Sequence, residues 1–177
     1  MKHSHIYEFG DIKQSFMTYQ EFTDKYKLRV TKTSYDNQLQ LALSVCKKLF
    51  FEYQLFSDKN SWGDPDMLLD AIKIIEKVHS PSFYKGLIPK TIASMITITP
   101  DTEDFENASY VLNACVSVCE SLEFLLERDA EHIYPIGTIL TDTFDFKIQE
   151  DSDLTQKEID RNPIMIEKRN YLLKLTN

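Results

Sequence analysis

This sequence is poor in glycine, proline and cysteine, and each shortage excludes a class of structure or site. Its 177 residues include only four glycines and six prolines. Strands joined by tight turns need many glycines, so this shortage favours helices. The glycines, at positions 10, 63, 86 and 137, never cluster, which excludes a glycine-rich phosphate-binding loop. The three cysteines, Cys46, Cys115 and Cys119, cannot all pair within the chain and suit a reducing compartment.

Basic charge is also in short supply. The chain has 28 acidic residues against 20 lysines and arginines, which gives a formal net charge of −8. A surface of this sign repels phosphate backbones, so we expect no nucleic-acid partner. The same surface attracts and steers a basic protein partner.

Long apolar runs and a signal-peptide pattern are missing as well. No apolar run approaches the ~20 residues that a membrane span needs. The first eight residues, MKHSHIYE, lack the apolar region of a signal peptide. We therefore expect no membrane association and a cytoplasmic location.

Apolar residues recur at spacings of three and four along most of the chain, which predicts an all-α protein. We expect a single-domain bundle of about seven helices covering residues 1–177, and the sequence leaves open whether residues 1–10 are ordered. The segment at about 106–128 is apolar almost all round, so it is predicted to be the buried central helix. The other helical segments are predicted at about 11–30, 34–56, 64–79, 89–98, 130–150, 155–162 and 163–175.

The stretch between Tyr53 and Asp66 joins two of these helices and contains the single tryptophan. We expect Asp64 to cap the later of these two helices, predicted at about 64–79, and Pro65 to occupy its first position. Aromatic residues with nearby acids are typical of protein interfaces. Alternatively, Trp62 joins the two helices by packing on Phe56 and Leu68. The candidate interface residues of this stretch are Tyr53, Trp62, Asp64 and Asp66.

Three segments of the chain, taken in order, are similar to a known family. Residues 46–78 read CKKLFFEYQLFSDKNSWGDPDMLLDAIKIIEKV, residues 100–126 read PDTEDFENASYVLNACVSVCESLEFLL, and residues 154–165 read LTQKEIDRNPIM. Over about residues 16–171 this pattern resembles the YjaG-like family of bacterial proteins, known as domain of unknown function 416. The resemblance implies an all-helical, soluble, intracellular bundle of uncharacterised activity, with a homodimer as one possible assembly.

Side chains that could carry chemistry are few. Asp142 and Asp145 interrupt an apolar helix, which is compatible with an active site or with a partner for the basic end of the first helix. Cys115 and Cys119 lie one helical turn apart and could offer two thiolates, but small buried apolar side chains are the commoner use of cysteine there. We expect no metal ion and no cofactor.

These observations favour a non-enzymatic intracellular protein that acts by binding another protein. One alternative is an acidic immunity protein that neutralises a basic toxin, because a charge of −8 suits a basic partner. The other alternative is a metal-dependent hydrolase that uses helix-face carboxylates such as Asp142 and Asp145.

Overall fold

A computed structural model of the chain describes residues 16–77, 86–105, 107–150 and 152–177. The order of residues 1–10 and the end of the third helix at His79 lie outside the described residues. Within them the chain is a single compact helical domain without strands, which confirms the predicted fold class. The described residues form eight α-helices, which are α1 (Tyr19–Val30), α2 (Tyr35–Asn60), α3 (Pro65–Glu76), α4 (Leu87–Ile98), α5 (Ala108–Glu127), α6 (Ile133–Gln149), α7 (Gln156–Arg161) and α8 (Pro163–Leu175).

The first helix begins later than its predicted start near residue 11. Thr18 caps α1: its hydroxyl accepts a hydrogen bond from the Glu21 N–H at 3.2 Å. The Glu21 carboxylate in turn accepts one from the Thr18 N–H at 2.9 Å. This reciprocal capping box satisfies the free amides of the first turn, and residues 16–18 therefore lie before the helix. The second helix is one turn longer than predicted and ends at Asn60.

The core of the domain is built around α5. This helix packs most extensively against α2 and α6, and it also contacts α3 and α4. Eleven of its twenty residues are buried, which confirms the predicted central helix, with its start at Ala108. By length and composition alone α5 could cross a membrane, which corrects the expectation that no segment could. Half of the apolar window is buried inside the domain.

The helix α6 packs on α5 and also contacts α1, α2 and α8. The close approach of α1 requires Gly137 in α6, because a Cβ atom at this position would collide with the phenol of Tyr26. The Tyr26 hydroxyl donates a hydrogen bond to the Ile133 carbonyl oxygen at 3.3 Å. This contact holds α1 against α6, and Tyr19, two turns before Tyr26, lies in the same cleft as Asp142.

Candidate functional site

The stretch from Tyr53 to Asp66, which we name the Trp62 loop, includes the end of α2 and joins it to α3 through aromatic packing. The indole meets the Phe56 ring edge-on, with ring centroids 6.1 Å apart. The indole also lies near Phe105, with ring centroids 5.3 Å apart. Gly63 follows in the left-handed region, at a φ of 88°. The contact with Phe56 is the one expected if Trp62 joins the two helices, and Phe105 adds the segment before α5 to the same cluster.

Tyr53 is fully buried, so its side chain is not available to a partner in this conformation. Its hydroxyl donates a hydrogen bond to the Ile98 carbonyl oxygen at 2.8 Å. The same hydroxyl accepts one from the Asp64 N–H at 3.1 Å. Tyr53 therefore connects α2 to the end of α4 and to the start of α3.

Asp64 and Asp66 lie at the N-terminus of α3 but differ in their roles. The Asp64 carboxylate accepts a hydrogen bond from the Met67 N–H at 2.9 Å, and Pro65 occupies the first helical turn. Asp66 is exposed. Both line an open groove of about 470 Å³ between α3 and α4, whose floor is apolar. Capping thus accounts for Asp64, as the sequence indicated, and Asp66 remains a surface carboxylate.

Asp142 and Asp145 lie in a different cleft, which we name the acidic cleft. They are three residues apart in α6, so both side chains project from one face of the helix. The acidic cleft has a volume of about 180 Å³, and its walls come from four helices. The lining residues are Tyr19 of α1, Thr141, Asp142 and Asp145 of α6, Gln156 and Ile159 of α7, and Met165 and Arg169 of α8.

Both carboxylates of the acidic cleft are poorly compensated. Burial raises the pKa of Asp142 above its usual value, and the charge of Asp145 raises it further. Burial also raises the pKa of Asp145, although a hydrogen bond from Gln149 and the charge of Arg169 act in the opposite direction. Among the residues that the structure describes, neither carboxylate forms an ion pair. A cation in the acidic cleft would therefore compensate both charges.

The basic end of α1 does not supply that cation. Arg29 donates hydrogen bonds to the Leu173 carbonyl oxygen at 2.9 Å and to the Asn177 side chain at 2.7 Å. Lys27 lies over the Tyr134 ring, with its amino group 5.3 Å from the ring centroid. The suggestion that Asp142 and Asp145 pair with this basic segment is therefore wrong for Lys27 and Arg29.

Asp160 and Arg169 form a buried ion pair beside the acidic cleft, and sequence reasoning missed it. The Arg169 guanidinium donates to the Asp160 carboxylate at 2.9 Å and to the Met17 carbonyl oxygen at 2.6 Å. Its side chain is only 2% exposed, and its Nε has no hydrogen-bond partner within the described ranges. The pair ties α7 to α8 and fixes one wall of the acidic cleft. The signal in the sequence was an arginine on the apolar face of the last predicted helix.

Exposed aromatic side chains lie in the acidic cleft and in the cleft that adjoins it. Tyr19 lines it and is 41% exposed, and Phe16 is exposed to the same extent. A second, more apolar cleft of about 590 Å³ adjoins it and shares Tyr19 and Gln156. Phe146, next to Asp145 in α6, is 49% exposed. Among these side chains, tyrosine is of a type enriched at the energetically important positions of protein interfaces.

The thiols do not have the environment of metal ligands. Burial raises the pKa of Cys46 to about 11 and that of Cys115 to about 12. Burial also raises the pKa of Cys119 to about 11, and nearby glutamates add to the effect. Because metal binding requires thiolates, these cysteines behave as small apolar side chains.

The group of side chains that could hold a metal ion lies away from the acidic cleft. In the described part of the chain it consists of Glu120, Glu123 and His132, whose ligand atoms all lie within 4.8 Å of one another. Burial lowers the pKa of His132, but hydrogen bonds from its ring to Glu120 and Glu127 outweigh that effect and raise it. Sequence reasoning missed this cluster because His132 lies beyond the helix that carries the glutamates.

Comparisons with known proteins agree with the fold. The model of the family described as "Protein of unknown function (DUF416)" matches residues 25–177. The crystal structure of a DUF416 family protein from Shewanella baltica is similar to this chain, with a TM-score of 0.72 and 22% sequence identity. The match covers 85% of this chain and 83% of that chain, and at this identity it shows a common fold. None of the curated proteins matches the chain significantly.

Proposed function

We propose that this chain, which belongs to the DUF416 family of proteins of unknown function, acts by binding a basic protein. In this proposal the partner inserts a lysine or arginine side chain into the acidic cleft. One observation carries the proposal. Asp142 and Asp145 are partly buried, have raised pKa values and form no ion pair with the described residues. An inserted cation would compensate both carboxylates.

The remainder of the surface supports a protein partner rather than a free ion. Exposed Phe16 and Tyr19 line the two adjoining clefts and offer apolar contact area beside the inserted side chain. Aromatic anchors beside a desolvated charge pair are typical of the centre of a protein interface. The net charge of −8 adds long-range attraction for a basic partner.

The same charge favours a different protein over a second copy of this chain, because two copies that each carry −8 repel one another. An immunity protein that neutralises a basic toxin inside the cell is one specific form of this function. The homodimer remains an alternative, and light scattering of the purified chain tests it, since a stable dimer would favour self-association as the primary role.

A metal-dependent hydrolase is less well supported by the acidic cleft. Its described lining contains no histidine, cysteine, serine or lysine to act with the two carboxylates. The three clustered metal-ligating side chains lie elsewhere, at Glu120, Glu123 and His132. Binding of a cationic side chain requires only what the acidic cleft contains.

The proposal is tested with a labelled arginine-rich peptide and a matched peptide in which citrulline replaces each arginine. Citrulline keeps the shape of the side chain and removes its charge. We expect the arginine peptide to bind and the citrulline peptide to bind much more weakly, measured by fluorescence anisotropy. The variant Asp142→Asn/Asp145→Asn should weaken arginine-peptide binding at least about tenfold, because a charge-assisted hydrogen bond contributes about 1.5–3 kcal/mol.

The control variant is Asp66→Asn/Asp70→Asn, which removes the same charge from the groove between α3 and α4. It should leave peptide binding nearly unchanged. Equal weakening by both variants would show that only the overall charge matters, and would contradict a specific role for the acidic cleft.

A further inference from the structure

The chain turns back after α5, and the side chain of His132 lies against that helix. Arg128 ends α5 in the left-handed region, at a φ of 59°. The Asp129 carboxylate then accepts a hydrogen bond from the Glu131 N–H at 2.9 Å, which caps a short 3₁₀ turn, Ala130–His132. The His132 N–H donates to the Asp129 carbonyl oxygen at 3.2 Å, and α6 follows directly. These backbone contacts fix His132 beside the last two turns of α5.

The imidazole of His132 meets two carboxylates at the same nitrogen. Its Nδ1 lies 2.9 Å from Glu120 Oε2 and 3.6 Å from Glu123 Oε2. Glu120 and Glu123 are three residues apart in α5, so both side chains project from one face of the helix. The imidazole and the Glu120 carboxylate are partly buried, with 18% and 27% of the side chain exposed.

These distances correspond to ligands of one ion. Nitrogen and oxygen ligands lie about 2.0–2.2 Å from a zinc ion, so two ligands of one tetrahedral ion lie about 3.4 Å apart. The separations of 2.9 and 3.6 Å from Nδ1 are close to that value. An ion placed between the three atoms would therefore require only small side-chain movements.

The second ring nitrogen is held in the manner common for metal-bound histidines. His132 Nε2 lies 3.1 Å from the Glu127 carboxylate, which is one turn further along α5 than Glu123. A histidine that ligates a metal through one nitrogen usually donates the N–H of the other to a carboxylate or a carbonyl. When an ion occupies Nδ1, the Nε2–H donates to Glu127, and Glu127 thereby holds the imidazole in the tautomer that leaves the Nδ1 lone pair to the ion.

We propose that Glu120, Glu123 and His132 form a binding site for a divalent transition-metal ion, with Glu127 as the residue that orients the imidazole. One nitrogen and two carboxylate donors suit Zn²⁺ or Mn²⁺. The remaining coordination positions are left to water. The bound ion links the end of α5 to the start of α6, and it replaces the proton that His132 shares with the carboxylates.

The test is calorimetric titration of the chelator-treated, full-length chain with Zn²⁺ and, separately, with Mn²⁺. The background variant is His3→Ala/His5→Ala, because imidazoles near a chain terminus bind transition metals by themselves. In this background we expect one equivalent of Zn²⁺ to bind. Glu120→Gln/Glu123→Gln should weaken that binding more than 100-fold, and Glu127→Gln should weaken it about 10–100-fold, as expected for a residue that orients a ligand.

The matched control is Glu131→Gln, which removes an exposed carboxylate from the same turn and should leave the Zn²⁺ affinity unchanged. His132→Asn should abolish binding, and circular dichroism establishes whether this variant folds. If His132→Asn does not fold, the Zn²⁺ affinity of Glu120→Gln/Glu123→Gln, whose substitutions are at partly exposed positions, decides whether the site exists. Absence of a one-equivalent site in the background variant, or binding that survives Glu120→Gln/Glu123→Gln, would overturn the proposal.

Discussion

The Trp62 loop and the acidic cleft both combine aromatic and acidic side chains, but they use them differently. In the loop the polar atoms of Tyr53 and Asp64 are satisfied by backbone partners, and Trp62 packs on two other rings. In the acidic cleft, Asp142 and Asp145 lack ion-pair partners among the described residues. The contacts of the loop therefore hold neighbouring helices together, whereas the cleft has an uncompensated charge that a ligand could neutralise.

A further contrast lies within the cleft itself. Asp160 is buried but has a cation, Arg169, at hydrogen-bond distance. Asp142 is less buried and has none in the described part of the chain, and its pKa is raised. Compensation rather than burial alone thus separates a structural carboxylate from one available for binding. Substitutions of compensated and of uncompensated groups should accordingly change the free energy of unfolding by different amounts and in opposite directions.

The largest change in the free energy of unfolding is expected for Arg169→Met, which removes the cation that pairs with Asp160. Asp160 would remain as a buried, unpaired carboxylate, so we expect a loss of about 3–5 kcal/mol in the free energy of unfolding. Urea denaturation measures it. The double variant Asp160→Asn/Arg169→Met leaves no buried charge and should lose far less. A single variant no less stable than the double variant would show that Asp160 does not depend on Arg169.

Gly63→Ala should have the largest effect in the Trp62 loop. The backbone at Gly63 has a φ of 88°, and a new Cβ atom would lie 2.5 Å from the Tyr53 hydroxyl. Backbone strain and this collision together should cost about 2–4 kcal/mol of unfolding free energy. Gly86→Ala is the matched control, because a methyl group added there would meet no other described atom within 4 Å, and it should change stability by less than about 1 kcal/mol.

Tyr53→Phe tests whether hydrogen bonding holds the loop together. The change leaves the Asp64 N–H without its partner and removes a donor from the Ile98 carbonyl oxygen. We expect a loss of about 1–2 kcal/mol in thermal or urea unfolding. Tyr134→Phe removes a hydroxyl that forms no hydrogen bond with the described residues, and its effect should be within about 0.5 kcal/mol. Equal losses of stability in the two variants would argue against a structural role for the hydrogen bonds of Tyr53.

The smallest effect, and the one of opposite sign, is expected for Asp142→Asn/Asp145→Asn. Raised pKa values mean that ionisation of these carboxylates destabilises the folded state, so the variant should be up to about 1 kcal/mol more stable at pH 7. The stabilising protonated form is fully present below the unfolded pKa of about 3.9 and is lost as the pH rises through the raised folded pKa. The advantage of the variant should therefore shrink toward pH 4.

Unfolding curves of the wild type and this variant, measured side by side between pH 4 and pH 7, check the prediction. Asp66→Asn, at an exposed position, should show no such pH-dependent difference from the wild type. A variant that is less stable than the wild type at pH 7 would show that the two carboxylates are structural, as that of Asp64 is.

Local patterns in the sequence were sufficient for the helices and for several of their ends. Asp64 and Pro65 begin α3, and Glu158 accepts the Thr155 N–H at 2.9 Å at the start of α7. Each of these features involves residues within four positions of one another. The late start of α1 had a signal of the same kind, Thr18 and Glu21, which helical periodicity upstream obscured.

The sites depended on residues that are distant in sequence. The acidic cleft combines Tyr19, Asp142 and Arg169, which come from three helices. The metal-ligating cluster needs the turn at Arg128 to bring His132 back to α5. Neither arrangement follows from the spacing of residues, because each depends on how far and at what angle helices pack.

By itself the sequence determined the all-α fold, the buried central helix and the capping roles of its first-turn residues, since these follow from interactions over three or four positions and from apolar periodicity. Only the tertiary structure decided which carboxylates are compensated. Burial and the position of Arg169 set that outcome, and both arise from packing between helices that lie far apart in the chain. Charge compensation is therefore a property of the folded domain, and it distinguishes the acidic cleft from the Trp62 loop.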